Sequence, residues 1–276
     1  MNARAISRRE LKRTLRHAAA AVGSIGGYRN RGRTLPPRVL CYHGVSPDPP
    51  DEWSITVDQL KAHVAMLVEG YQPISLSAVV DWLTEGAPLP DRAVAITFDD
   101  AFVDLAEHAA PVLADAGIPA AVFAPVALLG GASAPDHSYH PTRPFMSWEQ
   151  LRGLHTAGWA VGSHALDHPV LSQLNEDDAA HQLTESKRLL EEGLGVPVDL
   201  LAYPYGTPGT VSERDRRLAA EAGYRAAFMD MTGPLGRNDD RWALPRTKVL
   251  GTDSLPVVRA AVRGDLDLWR YVERSH

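Results

Sequence analysis

Two carboxylates stand side by side in "AVAITFDDAF", residues 93–102, where Asp99 and Asp100 end an apolar run. Adjacent acids repel each other and are costly to desolvate, so a chain that keeps both at a core boundary needs a use for them. Further on, "VGSHALDHP" spaces His164 and His168 four apart. On a turn of helix that spacing puts both imidazoles on one face, where they can share one ion. Pro169 disfavours helical geometry at His168, so such a helix is no longer than a turn. Two His and one Asp leave a tetrahedral zinc one open position for water, the catalytic rather than the structural arrangement. If Asp100 ligates the cation, its charge is neutralised and Asp99 stays free to act as a base toward the water. Two other readings stand beside this one. Asp100 could cap a helix starting at Phe102 with Asp99 merely solvated, or the acids could bind calcium, which the His pair argues against because calcium prefers oxygen ligands. Cys41 is the single cysteine of the chain. It excludes an internal disulfide and a cysteine zinc cage, leaves any metal to His and carboxylate, and fits a reducing compartment.

The elements that must position these groups follow from a junction that recurs four times. Helix-like text is followed by Gly and then by a short apolar run in "VEGYQPI", "DAGIPAAVF", "TAGWAVGS" and "EAGYRAAF". Gly70, Gly117, Gly158 and Gly223 are each placed as the left-handed residue that ends a helix and turns the chain into a strand. Capping-box patterns, "SWEQ" from Ser147 and "TVSE" from Thr210, mark two helix starts. Strands are expected near residues 38–43, 72–75, 93–98, 120–125, 159–163, 199–203, 224–229 and 247–250. Helices are expected near 57–69, 77–85, 102–116, 147–157, 176–193, 211–222 and 255–263. Runs such as "AVAIT" and "AAVFA" are apolar on both faces, as parallel strands covered by helices must be. The alternation predicts an α/β fold, a distorted (β/α) barrel of about seven parallel strands in a single domain, with an open doubly wound sheet as the alternative. In a parallel barrel functional groups collect at the C-terminal strand ends, and His43, Asp99, Asp100, His164, His168 and Tyr205 all fall there. Residues 130–144 form the longest connection without structure of its own. His137, Tyr139 and His140 on it could meet a ligand, and Trp148 either stacks on a ring or packs inward on a first helical turn.

The chain of 276 residues has average globular composition and no apolar stretch long enough to span a membrane. Its net charge of −6 is unevenly spread, since residues 1–33 hold nine Lys or Arg against Glu10. We therefore expect a basic N-terminal extension over 1–34 and a catalytic domain over 35–276. Within the extension, "RRELKRTLRHAAAAV" reads as a basic amphipathic helix with Leu11, Leu15, Ala19 and Val22 on one face. That suits peripheral contact with an anionic membrane from the cytoplasm, or alternatively a solvated tail. "SRRELK" also has the look of a twin-arginine export signal, yet Arg13, Arg16 and His17 interrupt what should be an apolar region. Nucleic acid is not an expected partner, because the positive charge sits on a tail of an acidic body. Oligomeric state is not readable.

Together the motifs resemble the polysaccharide deacetylases of carbohydrate esterase family 4, the NodB-homology group. "TFDD" matches the family's first motif, "SHALDHPVLSQL" its second and "YPYG" a variant of its third. "FMSWEQLRGLHTAGWAVGSH" is similar to the usual lead into the metal histidines, and the resemblance covers roughly residues 37–250. It implies metal-dependent hydrolysis of N-acetyl groups on an amino-sugar glycan, with Asp99 as base and with Asp100, His164 and His168 holding one divalent ion. That ion would be zinc, with cobalt, nickel or iron as substitutes. It also implies a backbone N–H from Tyr205 for the oxyanion. "CYHGV" is similar to the segment of a subgroup whose acid histidine comes early in the chain, which makes His43 the acid; the family's late Leu-x-x-His element is absent. Ala101 stands where Gly is usual, Ala165 where Ser or Thr is common, and Ala202 replaces the arginine of the third motif. Arg246 in "ALPRTKV" either supplies that charge or is an ordinary surface residue. The departures leave room for a glycan-binding pseudoenzyme, and the same constellation would also suit hydrolysis of a small amide or imide.

Overall fold

The computed structural model describes residues 14–21, 35–131 and 143–273. Its frame is a curled sheet of β1 (Arg38–Tyr42), β5 (Ala93–Phe98), β6 (Ala120–Ala124), β7 (Ala160–Ser163), β8 (Leu200–Ala202), β9 (Ala226–Phe228) and β10 (Thr247–Lys248). The order is β10-β1-β5-β6-β7-β8-β9, every pairing is parallel, and β4 (Gln72–Pro73) lies beside the start of β5. Between β9 and β10 a bridge from Phe228 to Leu244 narrows the seam. The result is a distorted (β/α) barrel in one domain, as the sequence predicts. A two-stranded ribbon of β2 (Gly44–Val45) and β3 (Ser54–Ile55) follows β1.

Period-2 alternation with both faces buried explains the strands. Val39, Ala95, Ala121, Phe123, Ala202, Ala226 and Phe228 join one cluster with α3 (Leu76–Thr84). Their neighbours Leu40, Ile96, Phe98 and Val122 join the other, with α2 (Val57–Gly70), α4 (Ala110–Asp115), α5 (Trp148–Thr156), α6 (Glu176–Leu194) and α8 (Leu255–Arg263). A strand apolar on both faces has to be covered twice, which a barrel with helices outside achieves. Trp148 belongs to the packing: it is partly buried against the main core cluster and fills the space above Gly193.

Several local expectations change. Gly117, Gly158 and Gly223 are left-handed, but Gly70 is not; α2 runs through it, and Tyr71 continues in extended backbone with its N–H on the Leu67 carbonyl. The box at Ser147 forms, whereas α7 (Glu213–Glu221) starts at Ser212, which exchanges hydrogen bonds with Asp215. Thr210 instead closes a turn with Thr207. The helix expected from Phe102 begins as a π-turn over Leu105–Ala109 before α4, and no side chain caps it.

Part of the N-terminal segment is described. Residues 14–21 form a helix, α1, that docks on α8: Ala20 packs with Val257, Ala260 and Leu266. Arg16 is buried and donates to both oxygens of Asp253 at 3.0 Å and to the Lys248 carbonyl at 2.8 Å. The docked face carries Arg16 and Ala20, while Leu15 is 49% exposed, because the buried Asp253 carboxylate claims the cation. Leu11 and Val22 lie outside the described residues. Among the described residues no helix is long and apolar enough to cross a membrane.

Candidate active site and metal centre

Parallel strands deliver their C-terminal ends to one mouth, and there the structure brings together His43, Asp99, Asp100, His164, His168, Tyr205 and Arg246. The backbone at this mouth is strained. Asp100, Ala101, Ala165, His168 and Tyr205 have φ of +71°, +52°, +61°, +65° and +61°, and Arg92 is the one other non-glycine residue with positive φ among those described. Each such residue costs about 1–2 kcal/mol, and clusters of them mark sites where function fixes the backbone. Ala101 accordingly occupies a conformation that favours the Gly usual there. The strain also replaces the expected turn of helix, since Ala165 and His168 bracket a tight turn that still sets the two imidazole centroids 4.8 Å apart.

The two adjacent acids live in opposite surroundings. Asp99 is 2% exposed and accepts from Arg246 Nη1 at 2.6 Å and Nη2 at 2.7 Å. Burial pushes its carboxyl up, but the Arg246 charge, with His164, outweighs this and holds it well below the usual carboxylate range. Arg246 is itself fully buried, donates to the Met229 carbonyl and to Thr97 Oγ1, and lies over the Phe123 ring at 5.2 Å. It meets Asp99 from the lip of β10, in a chain whose third motif carries Ala202; the surface-residue reading of Arg246 is excluded.

Asp100 has no such partner. Its Oδ1 lies 3.6 Å from His164 Nε2 and 3.5 Å from His168 Nε2, and its buried Oδ2 has no hydrogen bond. Burial, then the neighbouring Asp99 charge, pushes its carboxyl well above the usual range. His164 donates Nδ1–H to the Ala202 carbonyl at 2.7 Å, and burial lowers its pKa, so Nε2 is left as a lone pair. One ligand atom from each of the three residues lies within 4.8 Å of the others. A neutral imidazole fixed by a carbonyl, a second imidazole and a carboxylate with an unfilled buried oxygen fit a divalent cation. Asp100 caps no helix. Among the described residues Cys41, His43 and Asp99 are equally close, but both Asp99 oxygens are held by a guanidinium whose charge opposes a cation there.

His43 is 4% exposed, lies 5.4 Å from Trp53 between ring centroids, and has an unpartnered Nδ1. Burial lowers its pKa to about 4, against the pull of Asp99 and Asp230, so the ring is neutral at pH 7. Tyr205 sets its ring edge against His168 at 4.8 Å and is half-buried, which raises its phenol pKa, with Asp100 adding to the effect. His137, Tyr139 and His140 lie outside the described residues.

Sequence reasoning missed one ion pair here. Asp230 follows β9 and binds Lys248 Nζ at 2.6 Å; Lys248, on β10, also stacks over Trp53 at 4.9 Å. The strand-end rule that selected His43 applies equally to Asp230 in "AAFMD", so the signal was present.

Residues 86–227 match the polysaccharide deacetylase family model. The chain is 26% identical over 212 residues to YxkH of Bacillus subtilis, whose name assigns it to the polysaccharide deacetylases; the match covers 76% of this chain and 70% of that one. It is 30% identical over 126 residues to the poly-β-1,6-N-acetyl-D-glucosamine N-deacetylase of Escherichia coli K12, covering 41% of this chain and 18% of that protein. Among solved structures, the deacetylase PplD of Streptococcus pyogenes superposes with a TM-score of 0.72 at 20% identity, covering 83% of this chain and 99% of that one. IcaB from Ammonifex degensii gives 0.71 at 24% identity, covering 83% and 97%; both show the shared fold. The enzymes of this group are carbohydrate N-deacetylases, hydrolases of amide bonds. With a strand-end Asp pair, a His-x-x-x-His turn and the matched segment spanning both, the chain belongs to the polysaccharide deacetylase family.

Proposed function

We propose that this chain removes N-acetyl groups from an amino-sugar glycan or glycan precursor and releases acetate, with Asp100, His164 and His168 holding a zinc ion. Cobalt, nickel or iron would suit the same donor set. The observation that carries the reading is the contrast between the adjacent acids: Asp99 is locked in its ionised form by Arg246, while Asp100 faces two imidazoles with a carboxylate oxygen unfilled. A cation bound there supplies carbonyl polarisation and a more acidic water.

The chain's own residues then move the protons. Asp99 takes one from the attacking water as the C–O bond forms. A carboxylate held so far below its usual pKa passes that proton on readily. His43 is the neighbour able to receive it, since Cys41, His43 and Asp99 offer ligand atoms within 4.8 Å of one another. The neutral imidazole gives its N–H to the leaving amine as it gains a proton at the other nitrogen, and the C–N bond breaks. The Tyr205 backbone N–H serves the oxyanion.

Acetate release by metal-stripped protein, resupplied with one cation at a time, tests the reading. The panel comprises N-acetylglucosamine polymers, N-acetylated monosaccharide intermediates and small cyclic imides. Turnover of an N-acetylated sugar restored by zinc, and lowered at least a hundredfold in Asp99→Asn with zinc retained, is the expected result. Zinc binding with no release from any sugar, or an unchanged rate in Asp99→Asn, would overturn it.

A further inference from the structure

β10 and the residue before it bring two cations to the mouth: Arg246 donates to Asp99, and Lys248 pairs with Asp230. Yet β10 is two residues long and stands at the end of the strand order. It pairs with β1 through Leu40 against Thr247 and Cys41 against Lys248, and the seam toward β9 is closed by the single bridge from Phe228 to Leu244. So short an edge needs bracing from elsewhere if its two cations are to stay in place.

The bracing comes from the turn that follows, residues 248–253, which is gripped on two sides. On one side the Gly251 N–H donates to the Glu52 carbonyl and Gln59 Nε2 to the Gly251 carbonyl, each at 2.9 Å. A Cβ on Gly251 would overlap the Ser54 carbonyl. Trp53, between these two contacts, packs against both His43 and Lys248. On the other side stands α1. Arg16 Nη2 donates to the Lys248 carbonyl at 2.8 Å and to Asp253 at 3.0 Å, and His17 Nε2 lies 3.1 Å from the Thr252 carbonyl. Asp253 in turn accepts from the Leu250 N–H at 3.2 Å, so the pair it makes with Arg16 ties the turn together. A helix of eight residues is marginal in water by itself, so α1 is held in place by these contacts and by Ala20 on α8.

We propose that α1 is a clip on the catalytic edge strand, with Arg16 a positioning residue for the acid and the base. By fixing the Lys248 carbonyl and the turn behind it, Arg16 keeps Arg246 on Asp99 and keeps Lys248 and Trp53 around His43. Undocking of α1 lets β10 part from β1, while the metal triad, carried by the ends of β5 and β7, stays assembled. The consequence for turnover rests on the amino-sugar deacetylase reading given above; the clip itself does not.

Cys41, the single cysteine, is fully buried on β1 directly across from Lys248. Its reaction with dithionitrobenzoate in the full chain therefore reports the opening of β10. In Arg16→Met, labelling under native conditions should be at least about tenfold faster, the scale of one hydrogen bond to a charged group. With zinc retained, kcat for an N-acetylated sugar should fall about tenfold while KM stays within about twofold. Arg16→Met/Asp253→Asn no longer strands a carboxylate, so it should regain Tm yet keep the fast labelling and the low kcat; it carries the test if the single variant does not fold. Labelling as slow as wild type, or labelling and kcat that return together with Tm in the double variant, overturns the clip. So does labelling that accelerates with urea as steeply as global unfolding, because opening one strand exposes little surface. An unchanged kcat in a fast-labelling variant overturns the positioning role. If no protein, wild type included, releases acetate, the deacetylase reading fails and labelling alone decides the clip.

Discussion

Replacing Arg246 with Met isolates the interaction that separates the two aspartates. The guanidinium is fully buried and makes two hydrogen bonds, of 2.6 and 2.7 Å, to a carboxylate whose side chain is 3% exposed. Removing one partner leaves an uncompensated buried charge, which costs about 3–5 kcal/mol, a large part of a total stability of about 5–15 kcal/mol. Asp99→Asn should also destabilise. The double variant buries neither charge, so its loss should fall short of the sum of the singles by at least about 2 kcal/mol. The pH dependence follows from the depressed carboxyl. In wild type the contribution of the pair is complete above the unfolded value of about 3.9 and is lost as pH falls through the folded value, which lies lower. Without Arg246 burial governs and raises the carboxyl, so the variant recovers stability as the group takes up a proton on acidification. The deficit of Arg246→Met is therefore largest at pH 7 to 8 and narrows toward acid. Urea unfolding of chelator-treated protein, followed by tryptophan fluorescence across a pH series, measures it. A deficit under about 1 kcal/mol, single losses that add to within about 0.5 kcal/mol, or a deficit that widens toward acid would each refute the argument.

Three further outcomes are expected. Gly206 has φ of +54° and an added Cβ would overlap the Asp230 backbone nitrogen, so Gly206→Ala should cost about 2–4 kcal/mol and lower Tm by roughly 4–12 °C; an unchanged melt contradicts the geometry. Arg16→Ala strands the buried Asp253 and should cost about 3–5 kcal/mol, with part regained by adding Asp253→Asn, whereas a Tm within about 1 °C of wild type would mean that α1 does not stay docked. His43 is neutral when folded, with a pKa of about 4, below an unfolded value of about 6.5, so the unfolded state binds more protons and stability falls as pH drops through that window. Between pH 7 and 5, His43→Gln should lose about 2 kcal/mol less than wild type in urea unfolding, and parallel curves for the two proteins would contradict the burial of the ring.

Strand positions, helix positions and the convergence of His43, Asp99, Asp100, His164 and His168 were legible because each rests on a local signal: apolar runs, helix-ending glycines, or a residue type at a strand end. Thr210 and Gly70 misled because several neighbours had the right chemistry and packing chose among them; Ser212 rather than Thr210 has the reciprocal partner Asp215. The docking of α1 had no local signal: a buried carboxylate distant in sequence, Asp253, draws Arg16 inward. Similarly, the gap at Ala202 pointed to a missing cation and Arg246 was a candidate by type, yet only the curled sheet brings the lip of β10 against Asp99.

Charge balance across the mouth is where the folded chain says most beyond its sequence. Asp99 is matched by Arg246, Asp230 by Lys248 and Asp104 by Arg143. Asp100, buried to 2% exposure, has two imidazoles as its nearest side-chain nitrogens and an empty oxygen. A carboxylate so placed must either stay protonated or be answered by a cation. Burial and the neighbouring Asp99 charge push the carboxyl of the chain by itself toward its protonated form. An ion among the three ligands would favour the ionised form, so metal binding should be accompanied by proton release, read by titration in weakly buffered solution. Asp99, held ionised by its own arginine, has no proton to give up and is left as the site's base.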